Sequence, residues 1–270
     1  MSRSNPTETS SSPCTRWFEW AGGSDGGVVR YYDKEAGKQV EVGEKFAFLL
    51  LDELASVKGW HDASDSGIYS NEVRDTRQDV LVVKSFKGGE LASGLYAQIR
   101  DRVGNLGGHF HGSCYIAYKD GDQYKLGNIG FKGAALMTWM AFKKQAGRKD
   151  GRPAYYVDAV RINGYEEGTK GRVTYRVPKF SLAPASEEAN AQAVALDKEL
   201  QSFLSEYLKR GRVEQAETSK RTTAPVRDVE SELAEANESA AVAAGSGFED
   251  MDDDIPFMDP LKRRGYHLVV

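Results

Sequence analysis

The sequence predicts a mainly β protein that carries a few helices and ends in a disordered acidic tail. β-forming segments alternate with Gly, Asp and Asn turns through residues 17–182, which is the pattern of many short strands. Only two segments in that stretch have helical spacing. Of the 28 aromatic residues, 23 lie in residues 1–180, so we expect the core there and not in the last third of the chain.

Turn signals divide the first two thirds of the chain into strands. We predict three hairpins, formed by residues 28–32 with 39–42, 109–119 with 123–131, and 155–165 with 172–180. The second hairpin has the clearest connection, because Asp120-Gly121-Asp122 separates two runs of β-formers. Residues 46–51 and 80–86 are two further strands, since both are rich in β-formers and lack helical spacing.

Two helices interrupt the strands. Residues 93–103 place Leu95, Ile99 and Val103 on one face, and residues 134–145 end shortly before a glycine. Many short strands with a helix between the third and fourth groups are typical of an OB-like, partly open barrel, here with an added hairpin. A β-sandwich is the alternative fold that the pattern leaves open.

A third, amphipathic helix follows the barrel. Ser186 is a typical capping residue, and apolar side chains recur every three or four positions from Ala193 to Tyr207 before the helix closes at Gly211. We expect its apolar face to pack on the barrel or on a second copy of the chain. The predicted organisation is a disordered N-terminus (1–14), the OB-like domain (15–182), this helix (183–212), a disordered linker (213–247), an acidic tip (248–257) and a C-terminal extension (258–270).

The net charge of −4 is unevenly distributed along the chain. Residues 1–180 carry 26 basic and 22 acidic side chains, whereas residues 228–259 carry eleven acids and no Lys or Arg. A charged tail so poor in apolar groups cannot offset the entropy cost of folding. The total charge alone argues against a nucleic-acid ligand, but a mildly basic body suits a polyanion.

The acidic tail ends in a short motif, Asp252-Asp253-Asp254-Ile255-Pro256-Phe257. An aspartate run followed by Ile-Pro-Phe, after a disordered linker and an aromatic-rich β domain, resembles the C-terminal tip of bacterial and phage single-stranded DNA-binding proteins. In that family the Phe is usually the last residue, whereas thirteen residues follow it here. A merely solubilising acidic tail is the alternative interpretation.

The resemblance implies a protein that binds and protects single-stranded DNA during phage replication, recombination and repair, without strong sequence preference. It also implies that the three aspartates meet basic residues on replication and recombination enzymes, while Ile255, Pro256 and Phe257 fill an apolar pocket there. A phage protein of this kind acts in the cytoplasm of the bacterial host. We expect no catalytic residue, no metal and no cofactor.

Binding of single strands without sequence preference needs exposed aromatic rings and a groove of basic side chains. Strand alternation, loop position and charge nominate Trp60, Tyr69, Arg74, Arg77, Lys84, Phe86, Lys87, His109, His111, Tyr115, Lys119, Arg148, Lys149, Arg172 and Arg176. The candidates within residues 109–119 have odd numbers and are therefore expected on the polar face of one strand, opposite Cys114 and Ile116. Each candidate also has an ordinary interpretation, as a core ring or a solvated charge.

Other functions rest on weaker patterns. The chain has no P-loop, no His-Glu-x-x-His, no Cys-x-x-Cys and no Asp/Glu-x-Lys triplet. His109 and His111 on one strand face could hold a metal in a DNA-processing nuclease, but Cys114 points the other way. A protein-binding adaptor is the third hypothesis.

Two cysteines favour a reduced, cytoplasmic setting. The longest apolar run, residues 46–51, is too short to cross a membrane.

Overall fold

The computed structural model describes residues 12–24 and 26–222, with side chains described as far as Lys209. These residues form thirteen β-strands and three α-helices, which confirms the predicted mainly β class. The strands are β1 Arg16–Ala21, β2 Val28–Asp33, β3 Lys38–Gly43, β4 Lys45–His61, β5 Ser66–Ser70, β6 Leu81–Ser85, β7 Gly89–Gly94, β8 Gly108–Asp120, β9 Gln123–Lys132, β10 Arg148–Lys149, β11 Arg152–Pro153, β12 Ala159–Lys170 and β13 Val173–Ala183. The helices are α1 Tyr96–Asn105, α2 Gly133–Gln145 and α3 Glu187–Thr222.

Eleven strands form one open sheet in the order β3-β2-β1-β9-β8-β4-β5-β6-β7, with β12 and β13 attached beside β4. β1 and β9 are parallel, and the other pairs of this sheet are antiparallel. The sheet is not closed, but it curls strongly. The N–H of Arg176 on β13 donates to the carbonyl oxygen of Gly22, just after β1, at 2.8 Å.

β4 is the central strand of the sheet, because its 17 residues are long enough to pair with two different strands along one edge. One edge pairs with β8 from Phe48 to Gly59. The other edge pairs with β12 near its beginning and with β5 near its end, so the sheet branches there. The pairing with β8 shifts between Leu50 and Asp52, and this irregularity changes which side chains point to each face.

The inner face of the sheet, which carries Phe48, Ile116 and Ile129, forms the main core together with α2. Trp139 of α2 is 1% exposed and stacks on Phe131 with ring centroids 5.6 Å apart. Its Nε1–H donates to Glu53 Oε1 at 2.7 Å, and Lys143 Nζ donates to the same carboxylate at 2.8 and 2.9 Å. An ion pair and a ring therefore fix α2 against β4.

α1 packs on a second, smaller core at the other end of the inner face. Ile99 and Val103 of the helix meet Val57 of β4 and the apolar side chains of β5–β7. The helix begins at Tyr96, later than the predicted residue 93, because Ser93 and Gly94 pair with β6 as the end of β7. Both helices predicted within residues 17–182 are therefore present, the first with a shifted start.

α3 covers part of the outer face, the face that carries Leu54, Tyr115 and Leu126. Ser186 caps the helix as predicted, since its Oγ accepts the N–H of Ala189 at 3.1 Å. Leu200 and Leu204 are fully buried against the sheet. The helix does not end at Gly211 but continues to Thr222. Because α3 covers the middle of the sheet, the strands there are buried on both faces.

The predicted hairpins all occur. β2 and β3 pair, β8 and β9 turn through Gly121 and Asp122, and β12 pairs with β13. The last hairpin starts at Ala159 because Ala154–Tyr156 form a turn of 3-10 helix. Residues 1–11 and 223–270 lie outside the described part of the chain, as do the predictions made for them.

Candidate nucleic-acid interface

Three exposed aromatic rings lie together at the end of the outer face that α3 leaves uncovered. Trp60 of β4 is opposite Gly67 of β5, and Tyr69 of β5 is opposite Lys84 of β6. Phe86 continues this row, since its N–H donates to the carbonyl oxygen of Gly67. The exposed fractions of Trp60, Tyr69 and Phe86 are 53%, 39% and 75%. We call these three residues the aromatic patch.

Two rings of the aromatic patch, Tyr69 and Phe86, contact each other, and Phe86 packs where Gly67 has no side chain. Phe86 and Tyr69 stack with centroids 4.6 Å apart. A Cβ on Gly67 would stand 3.2 Å from the Phe86 ring, so that ring lies directly over the glycine. The patch therefore offers flat faces to solvent without further rearrangement.

Basic side chains continue from the aromatic patch across the outer face. Lys58 is opposite both Tyr69 and His109, and His111 is opposite Lys132 of β9. Directly opposed residues share a face, so these four side chains form a strip on the face that carries the rings. We call Lys58, His109, His111 and Lys132 the basic strip.

His111 is the most enclosed member of the basic strip. Its ring lies against Gly130, where an added Cβ would clash with the imidazole. Burial, and then the positive charges of Lys58 and Lys132, lower the pKa of His111 to about 3. The imidazole is therefore neutral at pH 7. Its buried Nδ1 has no hydrogen-bond partner among the described residues.

Two further exposed rings lie on the same face, towards the opposite edge of the sheet. Trp17 of β1 is opposite Asn128, and it is 45% exposed, with Lys34 Nζ 5.6 Å from the ring centroid. Tyr32 of β2 is 56% exposed. Trp17 is not among the candidates nominated from the sequence. Strand alternation could have identified it, because Phe18 and Trp20 are core residues and Trp17 therefore points to the opposite face.

A cavity of about 410 Å³ adjoins the basic strip. His109 and Lys132 line it, together with Trp20 and Tyr175 and with glycines from the loop after β1 and from the start of α2. Its size falls within the range of pockets that hold small ligands. The aromatic patch, the basic strip and this cavity are therefore neighbouring features of the exposed surface.

Tyr115 does not lie on an exposed face, contrary to the sequence-based expectation. It is 4% exposed, and its hydroxyl donates to Glu72 Oε2 at 2.5 Å. Burial, and then the charge of Glu72, raise the pKa of this phenol. The odd-numbered face of β8 is the outer face, and α3 covers it from Tyr115 onward. Tyr115 is therefore a core residue in this structure.

Two nominated arginines are engaged in internal contacts. Arg74 holds the Asp52 carboxylate with two bonds of 2.8 and 2.7 Å and also reaches Gln201 of α3. Arg176 donates to Gly26 and Glu167 and lies over the ring of Tyr165. Both guanidinium groups hold separate parts of the fold together, which is a structural role.

Of the other nominated cations, two lie beside the aromatic patch and five lie elsewhere on the surface. Lys84 and Lys87 border the aromatic patch, and Lys87 Nζ donates to the carbonyl oxygen of Asp65 at 3.1 Å. Arg77, Lys119, Arg148, Lys149 and Arg172 lie in the loop before β6, at the far end of β8, in the small β10–β11 hairpin and in the turn after β12. The basic loops thus do not form one groove with the patch.

The two histidines of the nuclease hypothesis do share a face, and Cys114 is on the other, beside Glu53. In residues 12–24 and 26–222, no three His, Cys, Asp or Glu side chains are grouped as a metal site requires.

Within the described residues, no helix combines the length and apolar character needed to cross a membrane. Asp252, Asp253, Asp254, Ile255, Pro256 and Phe257 lie outside the described residues.

Comparison with known proteins gives no match to a family model, a curated protein or a solved structure. The outer face itself therefore carries the functional interpretation.

Proposed function

We propose that the protein binds single-stranded DNA on the uncovered half of the outer face, without strong sequence preference. The observation that carries this proposal is the aromatic patch, which shares one face with the basic strip. Every nucleobase has a flat face that can stack on an exposed ring, and lysines attract the phosphates between the bases. Rings and cations in one row suit a flexible strand whose bases are accessible.

We also propose that the sheet is an OB-like barrel left open at one side. The curl that brings Arg176 to Gly22 supports this, as does the position of α2, which follows β9 and fills the concave inner face. The aromatic patch then lies on an extension of the barrel formed by β5, β6 and β7. This arrangement would make the extension the main stacking surface.

We propose that the tip at residues 252–257 recruits replication and recombination enzymes to the coated strand, in the cytoplasm of a bacterial host. The support is the sequence motif and the charge distribution. A short acidic peptide with one apolar anchor binds quickly and can serve several partners. In this proposal the protein needs no metal and catalyses no reaction.

A fluorescence titration tests the proposed function. Oligo-dT is added to the full chain while tryptophan emission is followed, at low and at high salt. Trp60 and Trp17 are exposed on the proposed surface, so we expect quenching, an affinity in the micromolar range or tighter, and marked weakening by salt. Absence of both quenching and a mobility shift at low salt would refute the proposal.

A further inference from the structure

Two lysines flank His111 in the middle of the uncovered outer face. Lys132 is directly opposite His111 on β9, and Lys58 on β4 lies two residue pairs away, at the next position on the same face. Both ammonium groups are close enough to the imidazole to lower its pKa. Two lysines from different strands therefore flank one neutral ring.

Neither lysine has an acidic partner in the described part of the chain. Lys58 and Lys132 form no salt bridge with any residue of 12–24 or 26–209. Burial lowers the pKa of Lys58, and the charges of Glu72 and Glu19 oppose this shift, but both carboxylates are bonded to other groups. Glu19 accepts from Arg30 Nε at 2.7 Å, and Glu72 accepts from the Tyr115 hydroxyl. The two ammonium groups therefore have no direct ion-pair partner among the described residues.

The floor of this site contains unsatisfied polar atoms. His111 Nδ1 and Ser56 Oγ are buried, have no hydrogen-bond partner among the described residues, and belong to directly opposed residues on β8 and β4. Buried polar atoms are nearly always hydrogen-bonded, and an exception needs an explanation such as a bound ion or a water. Gly130 beneath the ring leaves no room for His111 to sink further.

We propose that one backbone phosphate of the bound strand sits between Lys58 and Lys132, above the ring of His111. This inference rests on the proposed function and names the point where the strand is anchored. Lys58 is opposite Tyr69 and two residues before Trp60, so a nucleotide stacked on the aromatic patch has its phosphate within reach of Lys58. The phosphate fixes the register of the strand, while the rings accept any base.

The salt dependence of oligo-dT binding tests this phosphate site. We compare the wild type with Lys58→Ala, Lys132→Ala and the double variant, and with Lys45→Ala as a control at the distant beginning of the same strand β4. Each phosphate contact to a single strand contributes about 0.7 to the slope of log K against log salt. We expect the double variant to lose about that much slope and to bind at least about fivefold more weakly at low salt.

The outcomes separate the two proposals. If the wild type does not bind oligo-dT, the proposed function fails and the phosphate site falls with it. If the wild type binds and the double variant keeps its slope, or if Lys45→Ala loses as much slope, the phosphate site alone is refuted. Unchanged melting temperatures establish that the variants fold. The resonances of the His111 ring should also shift on addition of oligo-dT, and unchanged resonances count against this position.

Discussion

The ring of Phe86 stacks on the ring of Tyr69, with centroids 4.6 Å apart and planes 28° apart, and both rings are open to solvent. Large apolar side chains are usually buried, so an ordered pair of exposed rings indicates a surface that contacts a partner. Tyr69 lies on β5, which pairs with β4 on one side and β6 on the other, so its backbone is held in position beneath the two rings.

Replacing Phe86 by Ala should weaken oligo-dT binding while leaving stability nearly unchanged. A stacked base contributes roughly 1–3 kcal/mol, which corresponds to about 5- to 150-fold in affinity. Phe86 is 75% exposed, so its removal costs little core packing. Phe86→Tyr keeps the ring and is the matched control. Fluorescence anisotropy measures the affinity, and equal losses for both variants would contradict stacking.

Trp17→Ala should also weaken binding, but only for longer oligonucleotides. Trp17 on β1 is separated from Tyr69 on β5 by β9, β8 and β4, which is roughly 19 Å across the strands at about 4.8 Å per strand. The two residues are also offset along the strands, because Trp17 is level with Asp52 of β4 and Tyr69 with Lys58. A strand too short to span both sites should bind the variant and the wild type alike. Affinities for dT oligonucleotides of increasing length provide the measurement. A loss that is already complete for the shortest oligonucleotide would argue against a second stacking site.

Stability should fall as the pH falls, because of His111. Its pKa of about 3 in the folded state lies below the value of about 6.5 expected in the unfolded chain. The unfolded state therefore binds more protons between these values, and the free energy of unfolding declines as pH drops through that window. We expect a loss of about 2 kcal/mol between pH 7 and pH 5. Urea unfolding at both pH values should show that His111→Gln reduces this loss, while His109→Gln on the same strand retains it.

The docking of α3 on the sheet is tested by truncating its buried leucines. Leu200→Ala or Leu204→Ala should lower the free energy of unfolding by about 2–5 kcal/mol, because each side chain is fully buried against the outer face. Val194→Ala on the exposed side of α3 should have little effect. Urea denaturation followed by circular dichroism gives the comparison. Three variants of equal stability would mean that the helix is not packed on the sheet.

Truncation after Gly247 tests the role of the tail. Removing residues 248–270 should preserve or tighten oligo-dT binding, because we expect the acidic segment to compete with DNA for basic surface. The same truncation should abolish capture of replication and recombination enzymes, and Phe257→Ala in the full chain should abolish it too. Pull-down and anisotropy measure the two effects. Much weaker DNA binding by the truncated chain would show that the tail does not compete with DNA.

Turn chemistry made the hairpins of this fold predictable from the sequence. The Gly121-Asp122 turn predicts that β8 and β9 are adjacent, and the spacing of Ala193, Leu200 and Tyr207 predicts α3. β5 and β7 could not be predicted in this way, since they are short and rich in Gly and Ser. The branch at β4 depends on pairing between residues more than a hundred positions apart, such as Phe48 with Val160.

The candidate site was predictable where alternation alone decides exposure. Phe86 is nominated by strand alternation, whereas Trp60 and Tyr69 are nominated because they flank a Gly/Ser/Asp-rich loop, and all three are exposed. Tyr115 was placed wrongly because alternation separates the two faces of a strand but does not reveal that a later helix covers one of them. Arg74 is a binding candidate by charge, and only the fold shows that Asp52 and Gln201 lie beside it.

The parallel pairing of β1 with β9 has a consequence for how the protein assembles during synthesis. Arg16 is paired with Gly127, and Thr15 donates to Leu126 across 111 positions of sequence. β1 therefore has no neighbour on that edge until β9 has been made. Trp17 therefore takes its position on the outer face only after β9 has been made, whereas the pairing of β4 with β5, which places Trp60 and Tyr69, does not wait for that strand.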